Sequence, residues 1–118
     1  MTDLIINIST GKGTWQHASE VIKKENWSKI FIITNDFGKE KFTTDKSHEF
    51  ILIDTNRDIK EIREEIIKNL KEKIKDTEVA LNLYSGTGKE HMAILSAILK
   101  LGLSLRMIIP TKDNIEEI

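Results

Sequence analysis

Val79-Ala80-Leu81-Asn82-Leu83-Tyr84-Ser85-Gly86-Thr87-Gly88-Lys89 is the stretch on which the fold turns. Val79–Leu83 is a short apolar run, which predicts a strand buried on both faces of a parallel sheet. Ser85–Lys89 is small, glycine-rich and hydroxyl-bearing, with one lysine. Glu90–Leu101 then places Met92, Ile94, Leu95, Ile98 and Leu99 at helical spacing and on most sides of the helix; Gly102 is suited to the residue that ends it. The same strand–loop–helix order stands at the start of the chain. Leu4–Ile8 is apolar, Ser9-Thr10-Gly11-Lys12-Gly13-Thr14 is the loop, and Trp15, Ala18, Val21 and Ile22 predict a helix to about Glu25 with Thr14 as its N-cap. Backbone N–H groups in such loops attract anions, phosphate above all.

Working outward, Lys29–Thr34 and Phe50–Ile53 read as further strands, and Asn35-Asp36-Phe37-Gly38 as the break after the first of them. Residues 39–48 are polar and carry no assignment. Ile59, Ile62, Ile66, Leu70 and Ile74 make Arg57–Lys75 the clearest amphipathic helix, its charged residues forming a solvated face. Leu103–Ile109 is a fifth strand, ended by Pro110. Strands alternating with helices predict an α/β fold of three layers, with a mainly parallel five-stranded sheet in the order 3-2-1-4-5. Residues 1–110 would form this domain, and 111–118 a polar tail or linker. In that order the first and fourth strands are neighbours at the point where the connections reverse, and ligands bind there. Both glycine loops belong to those two strands.

The totals bound the possibilities. A chain of 118 residues fits one domain. A net charge of -1 gives no basic field for duplex DNA, so anion binding has to be local. The absence of cysteine removes disulfides and thiolate metal sites, and suits a reducing, cytoplasmic setting. Met1-Thr2-Asp3 carries no basic leader, and no apolar run approaches the ~18 residues of a membrane span.

Several motifs fail on inspection. Leu83 stands where the first glycine of a phosphate-binding P-loop belongs, and Glu90 where its Mg²⁺-binding hydroxyl belongs. Gly11-Lys12-Gly13 is followed by Gln16 rather than the third glycine of the dinucleotide fingerprint. Asp54, Ser85 and Lys112 suit a phosphorylated receiver domain, but Ser9 and Thr10 replace the acidic pair that would seat Mg²⁺. Asp36-Phe37-Gly38 spells a kinase signature without the rest of a kinase. No spacing of histidines and carboxylates suggests a metal site, and no cofactor is expected. His17 and His91 are placed alike, each early in a helix after its glycine loop. They read either as packed histidines or as hydrogen-bond donors beside a bound phosphate. Trp15 reads as a core anchor or as a platform for a base. Each loop taken alone also reads as a tight turn with no ligand.

Asn82-Leu83-Tyr84-Ser85-Gly86-Thr87-Gly88-Lys89-Glu90-His91-Met92 resembles the signature after the fourth strand of CARF domains, the CRISPR-associated Rossmann-like sensors. Ala93–Leu99 is similar to the apolar helix that follows it there, and Thr10–Thr14 to the family's other ligand loop. Thr87 departs from the pattern by separating Gly86 from Gly88. The resemblance implies a homodimeric sensor in CRISPR-linked antiviral defence that binds a cyclic oligoadenylate across a two-fold axis. Its ligand-binding residues would be Thr10, Gly11, Lys12, Gly13, Thr14, Ser85, Gly86, Thr87, Gly88, Lys89 and His91. Two alternatives stand beside it. One is a metal-independent ring nuclease in which Lys12 and Lys89 stabilise charge as the 2′-hydroxyl attacks its own phosphodiester. The other is a non-catalytic protein-interaction domain with empty loops.

Overall fold

The first apolar run forms β1 (Asp3–Asn7), flanked in the sheet by β2 (Ile30–Thr34) and β4 (Glu78–Asn82), both parallel to it. Beyond them lie β3 (Glu49–Leu52), parallel to β2, and β5 (Ser104–Pro110), parallel to β4. The computed structural model describes residues 2–118 and holds a six-stranded sheet in the order β3-β2-β1-β4-β5-β6. The first five strands stand in the expected order. The sixth corrects the expectation of five. Ile115–Glu117 form β6, antiparallel to β5 with Ile109 opposite Glu116. A Thr111–Asn114 turn closes this hairpin: the Thr111 N–H donates to the Asn114 carbonyl at 2.7 Å, and Lys24 Nζ donates to the Thr111 and Lys112 carbonyls. Arg106 pairs with Glu117 and Glu78, linking β6 and β4 across β5. A three-residue strand with two glutamates has no strand-like pattern of its own. It forms because β5 offers an unpaired edge, and its charges discourage further pairing.

Side chains alternate across each strand, so β1 feeds two cores. Ile5 joins Phe31, Ile33, Val79 and Leu81 against α3 (Ile59–Leu70) and α4 (Gly88–Lys100), which contribute Ile62, Ile66 and Leu70, and Ala93, Ile94, Ala97 and Ile98. Leu4, Ile6 and Ile8 join Ile30, Ile32 and Ala80 against Ala18, Val21 and Ile22 of α1 (Trp15–Lys23). Each such aliphatic side chain stabilises the fold by about 2 kcal/mol relative to exposure.

Three local readings change. The break after β2 and the unassigned stretch contain a short helix, α2 (Asp36–Lys41), capped by the Asn35 side chain accepting from the Gly38 N–H at 2.9 Å. Gly38 is required there because a Cβ would collide with Thr34 Oγ1. The helix expected over Arg57–Lys75 is confined to Ile59–Leu70 and is capped by Asp58, whose carboxylate accepts from the Glu61 N–H. Thr14 holds the N-cap position of α1, as expected, but its side chain makes no capping bond. It ends a 3-10 turn over Lys12–Thr14, and its hydroxyl donates back to the Gly11 carbonyl at 3.0 Å.

Candidate functional site

The parallel register places Ile6 opposite Asn82, so the loops leaving β1 and β4 emerge side by side. They touch directly. The Ser9 N–H donates to Ser85 Oγ at 3.0 Å, and the two serine hydroxyls are 3.2 Å apart. The expected meeting of the two loops at the reversal point is therefore present.

Two asparagines, Asn7 and Asn82, end these strands, and both are buried. Each reaches outward to the next strand. Asn7 Nδ2 donates to the Ile33 carbonyl at 2.9 Å, and Asn82 Nδ2 to the Ile108 carbonyl at 2.8 Å. Asn82 is fully engaged: Nδ2 also donates to His17 Nε2 at 3.0 Å, and Oδ1 accepts from the Tyr84 N–H at 3.2 Å. Asn7 Oδ1, by contrast, is the one buried side-chain polar atom among the described residues without a partner. It lies against Gly86, whose φ of +108° and lack of Cβ make this approach possible, since a Cβ there would collide with Oδ1. An acceptor in this position costs about 1–3 kcal/mol when neither protein nor water reaches it.

The two histidines differ in tautomer, although the sequence places them alike. His17 accepts through Nε2, so its proton sits on Nδ1. Its ring stacks on Tyr84 at 3.9 Å with an interplanar angle of 9°. Burial lowers its pKa from the ordinary histidine value of 6.5, so at neutral pH it is uncharged. His91 donates from Nε2 to the Ser85 carbonyl at 2.8 Å and so fastens the second glycine loop to α4.

Most polar groups of that second loop are spent on the loop itself. The Thr87 hydroxyl accepts from the Glu90 N–H at 3.2 Å, and the buried Glu90 carboxylate accepts from the Thr87 N–H at 2.7 Å, a capping box at the start of α4. Lys89 reaches away from Gly86 and donates to the Thr55 carbonyl at 2.8 Å, which ties α4 to the loop after β3. Gly88 has open space where a side chain would lie.

The first loop is different. Thr10, Gly11, Lys12 and Gly13 are exposed, and Gly13 has nothing within van der Waals reach of a Cβ. The Lys12 ammonium stands 5.9 Å from the Trp15 ring and 5.5 Å from the Phe37 ring, a cation–π arrangement beside the loop. Trp15 itself is held by its indole N–H donating to the Ser9 carbonyl at 2.9 Å, and it packs edge-on against Phe42. Its ring centre lies 6.0 Å from that of Phe37 at an interplanar angle of 48°.

Asp54 follows β3 at the far edge of the sheet, two strands from β1, so it does not approach Ser9 or Ser85. This arrangement removes the receiver-domain reading independently of the missing acidic pair. Among the described residues no three histidine, aspartate or glutamate side chains converge as metal ligands, and no helix is long and apolar enough to cross a membrane.

Asn7 was not singled out by the sequence, and Asn82, Tyr84 and Phe37 stood only inside quoted motifs, with no role of their own. The first two carried a signal: one amide at the end of each of two otherwise apolar strands. The contacts of Tyr84 and Phe37 carried none, because they depend on His17 and Lys12 arriving from elsewhere in the chain. No known family model, curated protein or solved structure gives a significant match to this chain.

Proposed function

We propose that this chain is a Rossmann-like sensor domain that binds a nucleotide second messenger, a cyclic oligoadenylate, over the paired loops after β1 and β4. The observation that carries this reading is the direct contact of the two glycine loops through Ser9 and Ser85 at the reversal point of the sheet. That arrangement places small residues, the exposed Thr10–Gly13 backbone and the Lys12 ammonium at one end of the sheet, which suits a phosphodiester. A ring of phosphates is symmetric, and one patch used twice about a two-fold axis would engage it. Tyr84, Met92 and Leu99 are each more than 60% exposed, and they supply apolar surface for the second copy. On this reading the chain acts as the sensor of CRISPR-linked defence.

Lys89 and His91 each hold a backbone carbonyl, and His17 Nε2 already accepts from Asn82. Ring cleavage would therefore rest on Lys12, whose ammonium has ring faces but no hydrogen-bond acceptor around it among the described residues.

The test is a thermal melt with cyclic tetra- and hexa-adenylate, followed by chromatography of the mixture. Saturation at ~100-fold the dissociation constant adds roughly 2.7 kcal/mol, and the ring should be recovered intact. A linear product would replace the sensor with the ring nuclease. No shift and no product would leave a protein-interaction domain.

A further inference from the structure

An open cleft of about 610 Å³ lies beyond the ends of β2 and β3, and no residue of the two glycine loops lines it. Pockets of about 300–1,000 Å³ are the size that holds small organic ligands. Two kinds of surface meet in this one. Phe37 and Leu52, 36% and 37% exposed, stand in the same concave wall, so large apolar side chains are gathered there rather than scattered. The charges come from three places. Asp36 opens α2, Asp54 follows β3, and Glu61 and Glu65 are one turn apart on α3. Against these four carboxylates the cleft has one cation of its own, Arg57.

The carboxylates are poorly matched within the fold. Arg57 reaches only Glu61, at 3.8 Å, with both side chains over half exposed, a pair of little strength. Glu61 and Glu65, four residues apart on one helix, repel each other. Asp54 accepts from the Asn56 N–H at 3.0 Å, and Glu65 from Asn69 Nδ2 at 2.9 Å, both neutral donors. Among the described residues Asp36 has no cation within ion-pair distance and no side-chain hydrogen bond. Two lysines approach from outside, Lys12 beside the Phe37 ring and Lys89 on the Thr55 carbonyl, and neither pairs with these carboxylates. Carboxylates only accept, so an occupant of this cleft has to donate, and anions are repelled. A bare metal ion does not fit, because no three of the acids converge as ligands and such an ion would leave the apolar wall untouched. A chain of methylenes carrying ammonium groups satisfies both surfaces, as a lysine stem does when it lies along apolar area with its charge at a carboxylate.

We infer that this cleft binds a linear aliphatic polyamine, with its methylene segments against Phe37 and Leu52 and its ammonium groups shared between Asp36 on one wall and the Glu61–Glu65 pair on the other. The site is separate from the paired glycine loops and does not rest on the nucleotide reading of them. Binding relieves the repulsion between Glu61 and Glu65, so the occupied protein is the more stable one.

The test is a titration of spermidine into the 118-residue protein at low ionic strength, followed by backbone amide NMR, with magnesium chloride as the control for charge alone. The expected result is saturable shifts at Phe37, Leu52, Asp54 and Glu65, absent from the Thr10–Gly13 loop and not reproduced by Mg²⁺. Asp36→Asn, which leaves the Asn35 cap of α2 in place, should weaken spermidine about tenfold, as for one lost hydrogen bond to a charged group. Phe37→Ala should weaken it by a similar factor without changing any charge. Leu52→Ser tests the apolar wall a second time, away from the packing of Phe37 on Trp15. No saturable shift, shifts that Mg²⁺ reproduces, or an affinity indifferent to both Phe37→Ala and Leu52→Ser would each overturn the inference and leave an acidic surface without a built site. No nucleotide enters this titration, so its failure leaves the reading of the glycine loops standing, and failure of cyclic tetra-adenylate to bind leaves the polyamine site standing.

Discussion

Asn7 and Asn82 occupy equivalent positions, one at the end of β1 and one at the end of β4, and each fastens the next strand outward through its amide. Their surroundings differ. Around Asn82 the polar groups are matched: His17, Tyr84 and Ile108 take up its side chain, and the loop beyond is closed by the Thr87–Glu90 capping box and by His91 on Ser85. Around Asn7 one acceptor is orphaned, and the loop beyond exposes Thr10, Gly11, Lys12 and Gly13. A loop whose donors and acceptors are satisfied within the fold is scaffold. The first loop is bonded within itself too, through the Gly11 N–H on Ser9 Oγ and Thr14 on the Gly11 carbonyl, but its Lys12 ammonium holds only ring faces and can meet a ligand without releasing a carbonyl. The likeness of the two loops in sequence thus hides a division of labour, in which the second loop holds the shape that the first presents.

The contrast between the loops is sharpest at the glycines. Gly86→Ala places a Cβ on Asn7 Oδ1 at a φ of +108°, and should cost about 4 kcal/mol in urea unfolding. Gly13→Ala, in open space, should cost under about 0.5 kcal/mol. Equal costs would erase the difference between the loops. The asparagines come next. Asn82→Ala leaves the Ile108 carbonyl, the Tyr84 N–H and His17 without its amide and should cost about 3 kcal/mol, against about 1 kcal/mol for Asn7→Ala, after which the Ile33 carbonyl still accepts from the Ile8 N–H and the orphan acceptor is gone. The reverse order would show that Asn7 carries more than its visible partner.

A third, smaller effect concerns pH. The folded pKa of His17 lies below its unfolded value of 6.5, so the unfolded chain binds the proton more readily. Its stability contribution is complete above pH 6.5 and is lost as the pH falls through 6.5 toward the folded value. His17→Gln should flatten the part of the stability profile that belongs to this residue over that window, measured by urea midpoints from pH 7.5 to 5. A profile unchanged by the substitution would remove His17 from the linkage. The smallest stability effect is expected for Lys12→Ala, under about 0.5 kcal/mol, because its partners are exposed ring faces. The same change should weaken ligand binding about tenfold, more than Lys89→Ala does. A larger loss with Lys89→Ala would move the cation of the site to the second loop.

The apolar runs Leu4–Ile8, Lys29–Thr34 and Val79–Leu83 made the parallel sheet legible, and the glycines after them located the reversal point. These are local patterns, and local patterns survive in a one-dimensional reading. β6 was not legible, because Ile115-Glu116-Glu117 becomes a strand only when β5 offers it an edge. α2 was hidden by Gly38, a poor helix residue whose presence answers to Thr34 rather than to the helix. In the site, the loops were legible, but their use was not. Whether Thr87 caps a helix or meets a ligand, and whether His17 is charged, depend on partners brought from distant parts of the chain: His17 and Asn82 are 65 residues apart, and Ser9 and Ser85 are 76.

A nucleotide seated on the exposed Thr10–Gly13 loop, beside the Ser9–Ser85 contact, would depend on Lys12. The most direct measurement is calorimetric titration of cyclic tetra-adenylate into the wild-type protein and into Lys12→Ala. The account predicts saturable binding that the substitution weakens about tenfold while the melting temperature of the free protein stays unchanged. Absence of heat with the wild type, or an affinity indifferent to Lys12, would contradict it.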